Sequence, residues 1–397
     1  MELHELPPAG GAQRAYCDAC QGPLDIVFGN FHETVSGIEI DIAGLPMLEC
    51  PACELRVLPD RSRVAVMRAH EVATQEGRVI FTSKRNPIKE DFGFTDVPFD
   101  YDPDDYYYYP GLVRPWNDGF LTPVFFNRTV LTKYDADPRY LIEFASPSYG
   151  VIRFENQFAF PFGNNRHGNL IMWLGDIARL PKTEQYYLMS ENRPSDHSLG
   201  SKFYDAQIEC KFTDSTQENL LFAARSSFLA AAFKRWGEKI AHLDAEVRDE
   251  AERLRRPVHD TIAQRRSVSD ILNKVHLESF DNGKLAAILT ARKITCAGTG
   301  TLKRLQALLA SVGDAQTING LMSSFYTLYD FRVACAHLGS AEGSDEKTRT
   351  VAERLELAAN ANLQTLYDAL LAAMTASYAA LTKMLDQEFG TGDAQDA

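Results

Sequence analysis

Four of the seven cysteines stand as two close pairs, "CDAC" at Cys17 and Cys20 and "CPAC" at Cys50 and Cys53, and no other feature restricts the fold as tightly. Two C-x-x-C turns a few tens of residues apart let four thiolates converge on one tetrahedral cation, each turn supplying two sulfurs. A module this small cannot bury enough surface to fold unaided, so the metal would contribute folding free energy directly. With four protein ligands no coordination position stays open, which points to structural rather than catalytic Zn2+. Iron in a rubredoxin-like site satisfies the same spacing. A redox role for either pair is the weaker rival, since neither lies in a βαβ context. The start, "MELHELPPAGGAQR", lacks a basic region followed by an apolar one, and in a cytoplasmic chain thiols are expected to ligate metal rather than pair as disulfides. The remaining Cys210, Cys296 and Cys335 are scattered.

Between the pairs runs "VFGNFHETVSGIEIDIAGLPMLE", whose β-branched residues and Gly37 and Gly44 predict short strands and turns, hence a zinc ribbon. It resembles the zinc fingers at the N-terminus of some bacterial antitoxins, where a glycine, a strand and a "GLP" element likewise precede the second knuckle.

At 397 residues the chain exceeds one ordinary core. Three textures follow one another, and a multidomain α+β protein is expected: a zinc ribbon at 1–62, a strand-rich α+β recognition domain at 63–215, and an all-α bundle at 216–397. No run of about 18 apolar residues is present to span a bilayer. The formal charge of -13 argues against a protein that coats nucleic acid non-specifically, though it permits a local basic site.

In the middle region "RYLIEFA", "YGVIRFE", "NLIMWLG" and "YDAQIECKF" read as strands, and "LPKTEQYYLMSEN" begins a short helix. The tyrosines of "DYDPDDYYYYPGLVRPW" cannot all face one side of a helix or strand. Interleaved with Arg114, Arg128 and Arg153 they could stack bases; the favoured reading is that the rings fill a core. His167, Asp196 and His197, on polar loops, are minor ligand-binding candidates.

Beyond Ser215 alanine, leucine and charged residues dominate at helical spacing. Helices are expected from Gln217 onward, near Val268 to Leu277, Gly283 to Arg292, Thr301 to Val312 and Ile318 to His337. A last long one should run from Ser344, as N-cap, to Phe389. Short connections make an antiparallel bundle. Arginines and lysines cluster at Arg253, Arg255, Arg256, Arg265 and Arg266 and again at Arg292, Lys293, Lys303 and Arg304; they read as solvated helix ends ahead of a phosphate-binding surface.

The segment "FYTLYDFRVACAHL" sets Arg332 and His337 five positions apart near the end of an apolar helix. Five residues turn a helix by about 140°, so the two cannot pair tightly on one face. Two copies related by a two-fold axis could instead bring both residues into one cleft. "RVACAH" resembles the R-x4-6-H signature of HEPN (higher eukaryote and prokaryote nucleotide-binding) domains, helical bundles of which many are metal-independent endoribonucleases. The resemblance covers roughly Gln217 to Phe389 and implies a HEPN-like bundle that dimerises and cleaves RNA. It implies that Arg332 binds the scissile phosphate and that His337 moves a proton at the 2′-hydroxyl or the leaving oxygen, while Tyr329 and Asp330 orient the arginine. The chemistry suits the side chains, since histidine titrates near neutrality and a planar guanidinium matches a phosphate. Active members often carry a polar residue directly after the arginine, where this chain has Val333.

The expected function is therefore a cytoplasmic endoribonuclease acting as a toxin or anti-phage effector, with a protein or phage-derived trigger sensed by the middle domain. The alternative is a non-catalytic, zinc-containing adaptor that dimerises through the bundle and binds a protein or nucleic acid.

Overall fold

The computed structural model describes residues 15–155, 157–211, 215–242, 245–336 and 341–387. The chain divides into two compact units, Met1–Asp214 and Ser215–Ala397. The first is mixed α+β, and the second is built from helices.

The first unit opens with a long hairpin, β1 (Asp25–Val35) and β2 (Ile38–Glu49). Its two-residue turn, Ser36 and Gly37, has φ of 45° and 84°, the doubly left-handed geometry that matches strand twist. β3 (Arg56–Val57) pairs with the end of β2, and after α1 (Asp60–Gln75) the strand β4 (Ile80–Lys84) adds in parallel to its start. Val66, Ala69 and Ala73 of α1 pack on Ile40, Ile42 and Leu45 of β2. No element is expected over α1 from the sequence; its buried Val66, Ala69 and Ala73 recur at three and four residues, the helical period.

Next come α2 (Pro103–Tyr108), β5 (Pro123–Phe126), α3 (Leu131–Ala136), β6 (Tyr140–Ser146), β7 (Tyr149–Phe154), β8 (Phe158–Asn164), β9 (Leu170–Trp173), α4 (Leu174–Ala178), α5 (Lys182–Ser190), β10 (Asn192–Arg193) and α6 (Lys202–Gln207). The strands form an antiparallel sheet in the order β10-β5-β9-β8-β7-β6. The tyrosine run lies on α2 and the residue after it. Tyr106 and Tyr109 are buried, and Tyr107 and Tyr108 are half-buried. "YDAQIECKF" does not open as a strand: its first four residues, Tyr204 to Gln207, end α6, whose Phe203 stacks on Trp173 at 4.7 Å, and Phe212 lies outside the described residues. The knuckle residues Cys17 and Cys50 share one core with Phe125, Ile171, Trp173 and Phe203, so the cysteine module and the six-stranded sheet are packed around the same apolar interior.

The second unit contains α7 (Gln217–Trp236), α8 (Ala245–Arg253), α9 (Ile262–Asn273), a π-turn at Lys274–Glu278, α10 (Asn282–Ala291), α11 (Thr301–Ala310), α12 (Ala315–Ala336), α13 (Ala341–Arg354) and α14 (Leu363–Gln387). α7 starts on the Thr216 cap and stops at Gly237, whose φ of 76° no other residue adopts as cheaply. α7 packs on α14, and α12 on α9, α13 and α14, around Phe228, Leu272, Phe325, Leu328, Leu371 and Tyr378. The expected final helix is two. Ser344 lies inside α13 rather than before it, and the chain breaks at 355–362, where Asn362 Oδ1 accepts from the Thr365 N–H at 2.9 Å and caps α14. Among the described residues no helix is long and apolar enough to cross a membrane.

Candidate functional site

The β1–β2 hairpin builds the cysteine centre. Asp25 lies opposite Glu49, so the turn preceding β1 and the turn following β2 meet at one end of the ladder. The two knuckles repeat the same local geometry. In the first, Gln21 N–H donates to the Cys17 carbonyl and Cys17 N–H to the Gly22 carbonyl, both at 2.8 Å. In the second, Glu54 N–H donates to Cys50 at 2.8 Å and Cys50 N–H to Leu55 at 2.9 Å. Gln21 and Glu54, each directly after the second cysteine, take left-handed φ of 60° and 59°.

All four Sγ atoms lie within 4.8 Å of one another, and Cys17–Cys53 and Cys20–Cys50 are 3.5 and 3.4 Å apart. A tetrahedral ion with metal–sulfur bonds near 2.3 Å needs sulfur–sulfur edges of about 3.8 Å, so the donor set fits one cation. The protonation balance suits it as well. Burial works against the Cys50 thiolate, yet the N–H groups of Ala52 and Cys53 and the neighbouring sulfurs bring Cys50 down to about 7. The Leu55 N–H favours the Cys53 thiolate, but the Cys17 and Cys50 sulfurs outweigh it and push Cys53 up to about 12. Such crowding of sulfurs is what a bound cation relieves.

The second place singled out by the sequence is the end of α12. Arg332 lies four residues before its last residue, with a side chain 37% exposed; its Nη2 is 3.8 Å from Glu278 Oε1 on the π-turn, and its Nε has no partner. Asn273 Nδ2 donates to the same Glu278 oxygen at 2.7 Å. Arg266 of α9 donates from Nε to the Cys335 carbonyl at 3.1 Å, which brings a second guanidinium to the end of this helix. His337 lies outside the described residues. Asp330 does not orient Arg332: its carboxylate pairs with Arg354 of α13, because the two residues project to different sides of α12. Tyr329 is 49% exposed. Neither Glu278 nor Arg266 was singled out for this place, and Glu278 carries no motif that would have marked it.

Elsewhere the basic clusters are mostly engaged. Arg256 pairs with Asp368 and Arg265 with Asp260, while Arg292 and Arg304 donate to the Arg235 and Asn282 carbonyls. In the first unit Arg153 pairs with Glu143, and Arg114 donates to its neighbour's carbonyl. The polar loops are tied together internally. Asn165 Oδ1 accepts from the His167 and Asn169 N–H groups at 3.0 Å, and Asp196 accepts from Asn165 at 2.9 Å and Asn169 at 2.7 Å.

Two histidines, one half-buried and one fully buried, have partners that the sequence did not reveal. His197, at φ 59°, places Nδ1 2.8 Å from Oδ1 of fully buried Asp105, and Ser195 Oγ donates to Oδ2 of the same carboxylate at 2.5 Å. Burial opposes its charge, but Asp105 outweighs burial and holds the imidazole above its usual value. Ser195 sits on the Nδ1 side of the ring, 3.4 Å away, so this is no serine-nucleophile relay, which needs the hydroxyl at Nε2. His276, on the π-turn, is fully buried; burial and then the Arg225 guanidinium drive it well below its usual value.

No protein-family profile, curated protein or solved structure matches this chain.

Proposed function

We propose that the second unit is a HEPN-type, metal-independent endoribonuclease that works as a dimer, and that the first unit is a zinc-stabilised recognition region. The observation that carries this reading is the state of Arg332. It is a part-exposed guanidinium near the end of a helix, held by one long ion pair of 3.8 Å, with Arg266 reaching the same helix end. Such a weakly engaged arginine can exchange Glu278 for a phosphate at little cost. In the proposed reaction Arg332 steadies the extra charge on the scissile phosphate and His337 of the same site moves the proton, so the 2′-oxygen attacks and the 5′-oxygen leaves. The products would be a 2′,3′-cyclic phosphate and a 5′-hydroxyl. The four sulfurs suit a structural zinc rather than a catalytic one, because no ligand position is left for substrate. A toxin or anti-phage effector gated by a trigger on the first unit is the role this design suits.

The experiment incubates full-length protein with total RNA in magnesium-free buffer. Wild type is expected to leave cyclic-phosphate ends, and Arg332→Ala and His337→Ala are each expected to lose at least about 100-fold in rate. Equal cleavage by wild type and both variants would rule the assignment out. A second reading, a dimerising adaptor, is favoured by one feature: Arg332 and Asp330 are both paired within their own chain, to Glu278 and Arg354. It predicts no RNA cleavage by any variant and no relief of expression toxicity by either substitution.

A further inference from the structure

Three arginines whose side chains are about nine-tenths or more withdrawn from solvent each face an aspartate: Arg63 with Asp60, Arg85 with Asp104, and Arg256 with Asp368. Arg225, on α7, is 5% exposed, and no carboxylate among the described residues lies within ion-pair distance of it. Its hydrogen-bond partner is neutral: Nη2 donates to Ser279 Oγ at 2.8 Å. Its Nε has no protein acceptor.

Beside it, His276 Nδ1 is 3.3 Å from the Tyr378 hydroxyl. With the Tyr378 hydroxyl donating to Nδ1, Nε2 is the protonated nitrogen of the neutral ring. Nε2 is buried and has no acceptor either. Ser279 cannot absorb the surplus, since its proton goes to the Val275 carbonyl at 2.6 Å. The cluster therefore holds one positive charge and two N–H donors against no negative charge, inside a wall formed by Phe222, Phe228 and Phe325. Water can satisfy a donor, but it cannot neutralise a charge taken out of solvent, and an uncompensated buried ion is strongly unfavourable.

We propose that the second unit binds a small inorganic anion, chloride in size and charge, at Arg225 and His276, between α7, the π-turn and α14. A monatomic anion accepts from any direction, so it suits two donors on different elements. A groove of about 530 Å³ lined by Ala224, Ser227, Ala379, Thr382, Lys383, Asp386 and Gln387 runs along the outer flank of the same α7–α14 seam, on a different face from Arg225 and Tyr378. The site is independent of RNA cleavage.

The test follows thermal unfolding of the full-length protein by its helical ellipticity in chloride and in gluconate at equal ionic strength. Millimolar chloride should raise the Tm of the helical transition saturably, by about 4 °C or more, in wild type and not in Arg225→Met. Equal Tm in the two salts, or a chloride shift that survives in Arg225→Met, overturns the proposal; so does a shift produced by inorganic phosphate and not by chloride. Should Arg225→Met fail to fold, chloride-35 line broadening on wild type decides the matter. Broadening that bromide displaces supports the site, and its absence sinks it.

Discussion

His197 of the first unit and His276 of the second are both drawn out of solvent, but one meets a carboxylate and the other a guanidinium. Asp105 holds His197 charged beyond the usual pH, whereas burial and Arg225 hold His276 neutral. The difference extends to each unit as a whole. The first closes its polar interior with protein groups of both signs, such as Arg85 with Asp104 and Lys133 with Glu184, and gathers four sulfurs for a cation. The second leaves a positive charge that its own carboxylates do not answer. Each unit thus looks outside the polypeptide for one ion, and of opposite sign.

The largest effect that would sharpen this contrast is metal removal. Stripping the cysteine centre, or Cys17→Ser, is expected to unfold the first unit while the helical transition keeps its midpoint, because Cys17 and Cys50 belong to the core that includes Trp173. Two transitions in calorimetry, only one of them shifted, is the outcome to look for; a joint shift would break the comparison. Next in size is Asp105→Asn. It leaves His197 beside a neutral amide, and breaking a buried pair costs about 3 kcal/mol. In a Trp236→Phe background the remaining tryptophans, Trp116 and Trp173, both report on the first unit, and their denaturation midpoint should fall.

A smaller effect, and the most direct reading of the contrast, is pH. For His276 the folded pKa is depressed, so its contribution is complete above the unfolded value near 6.5 and is lost as pH falls below it, by up to about 1.4 kcal/mol per unit. For His197 the folded pKa is raised, so its contribution is complete below about 6.5 and is lost as pH rises through the folded value. Acid should therefore weaken the helical unit where alkali weakens the other. His276→Leu should flatten the first slope, and parallel slopes in both units would contradict the scheme. The smallest effect concerns the break before α14: Asn362→Ala should cost about 1 kcal/mol through the lost cap, seen as a lower midpoint of the helical transition.

How much of this could be read beforehand depends on distance along the chain. The knuckles were legible because each is a local turn with a fixed spacing. Strands β6, β7 and β9 and helices α10 and α11 were legible from period and length. The Asp105–His197 contact joins residues 92 apart and leaves no trace in either neighbourhood. Arg225 did leave one: it lies four residues after Leu221 and three before Phe228, both fully buried, and so on the apolar stripe of α7. The asparagine cap that divides α13 from α14 was visible in "NANLQT" but was outweighed by the helix-forming residues around it.

The π-turn has a genetic consequence. A π-turn holds one residue more than the α-helical ladder needs, and each residue turns a helix by about 100°. Deleting a single codon within Lys274–Glu278 would let the ladder close as ordinary α-helix and swing Glu278 away from Arg332 while α12 itself kept its sequence. The pairing that restrains this guanidinium thus hangs on a one-residue insertion, which a single mutational step could gain or lose.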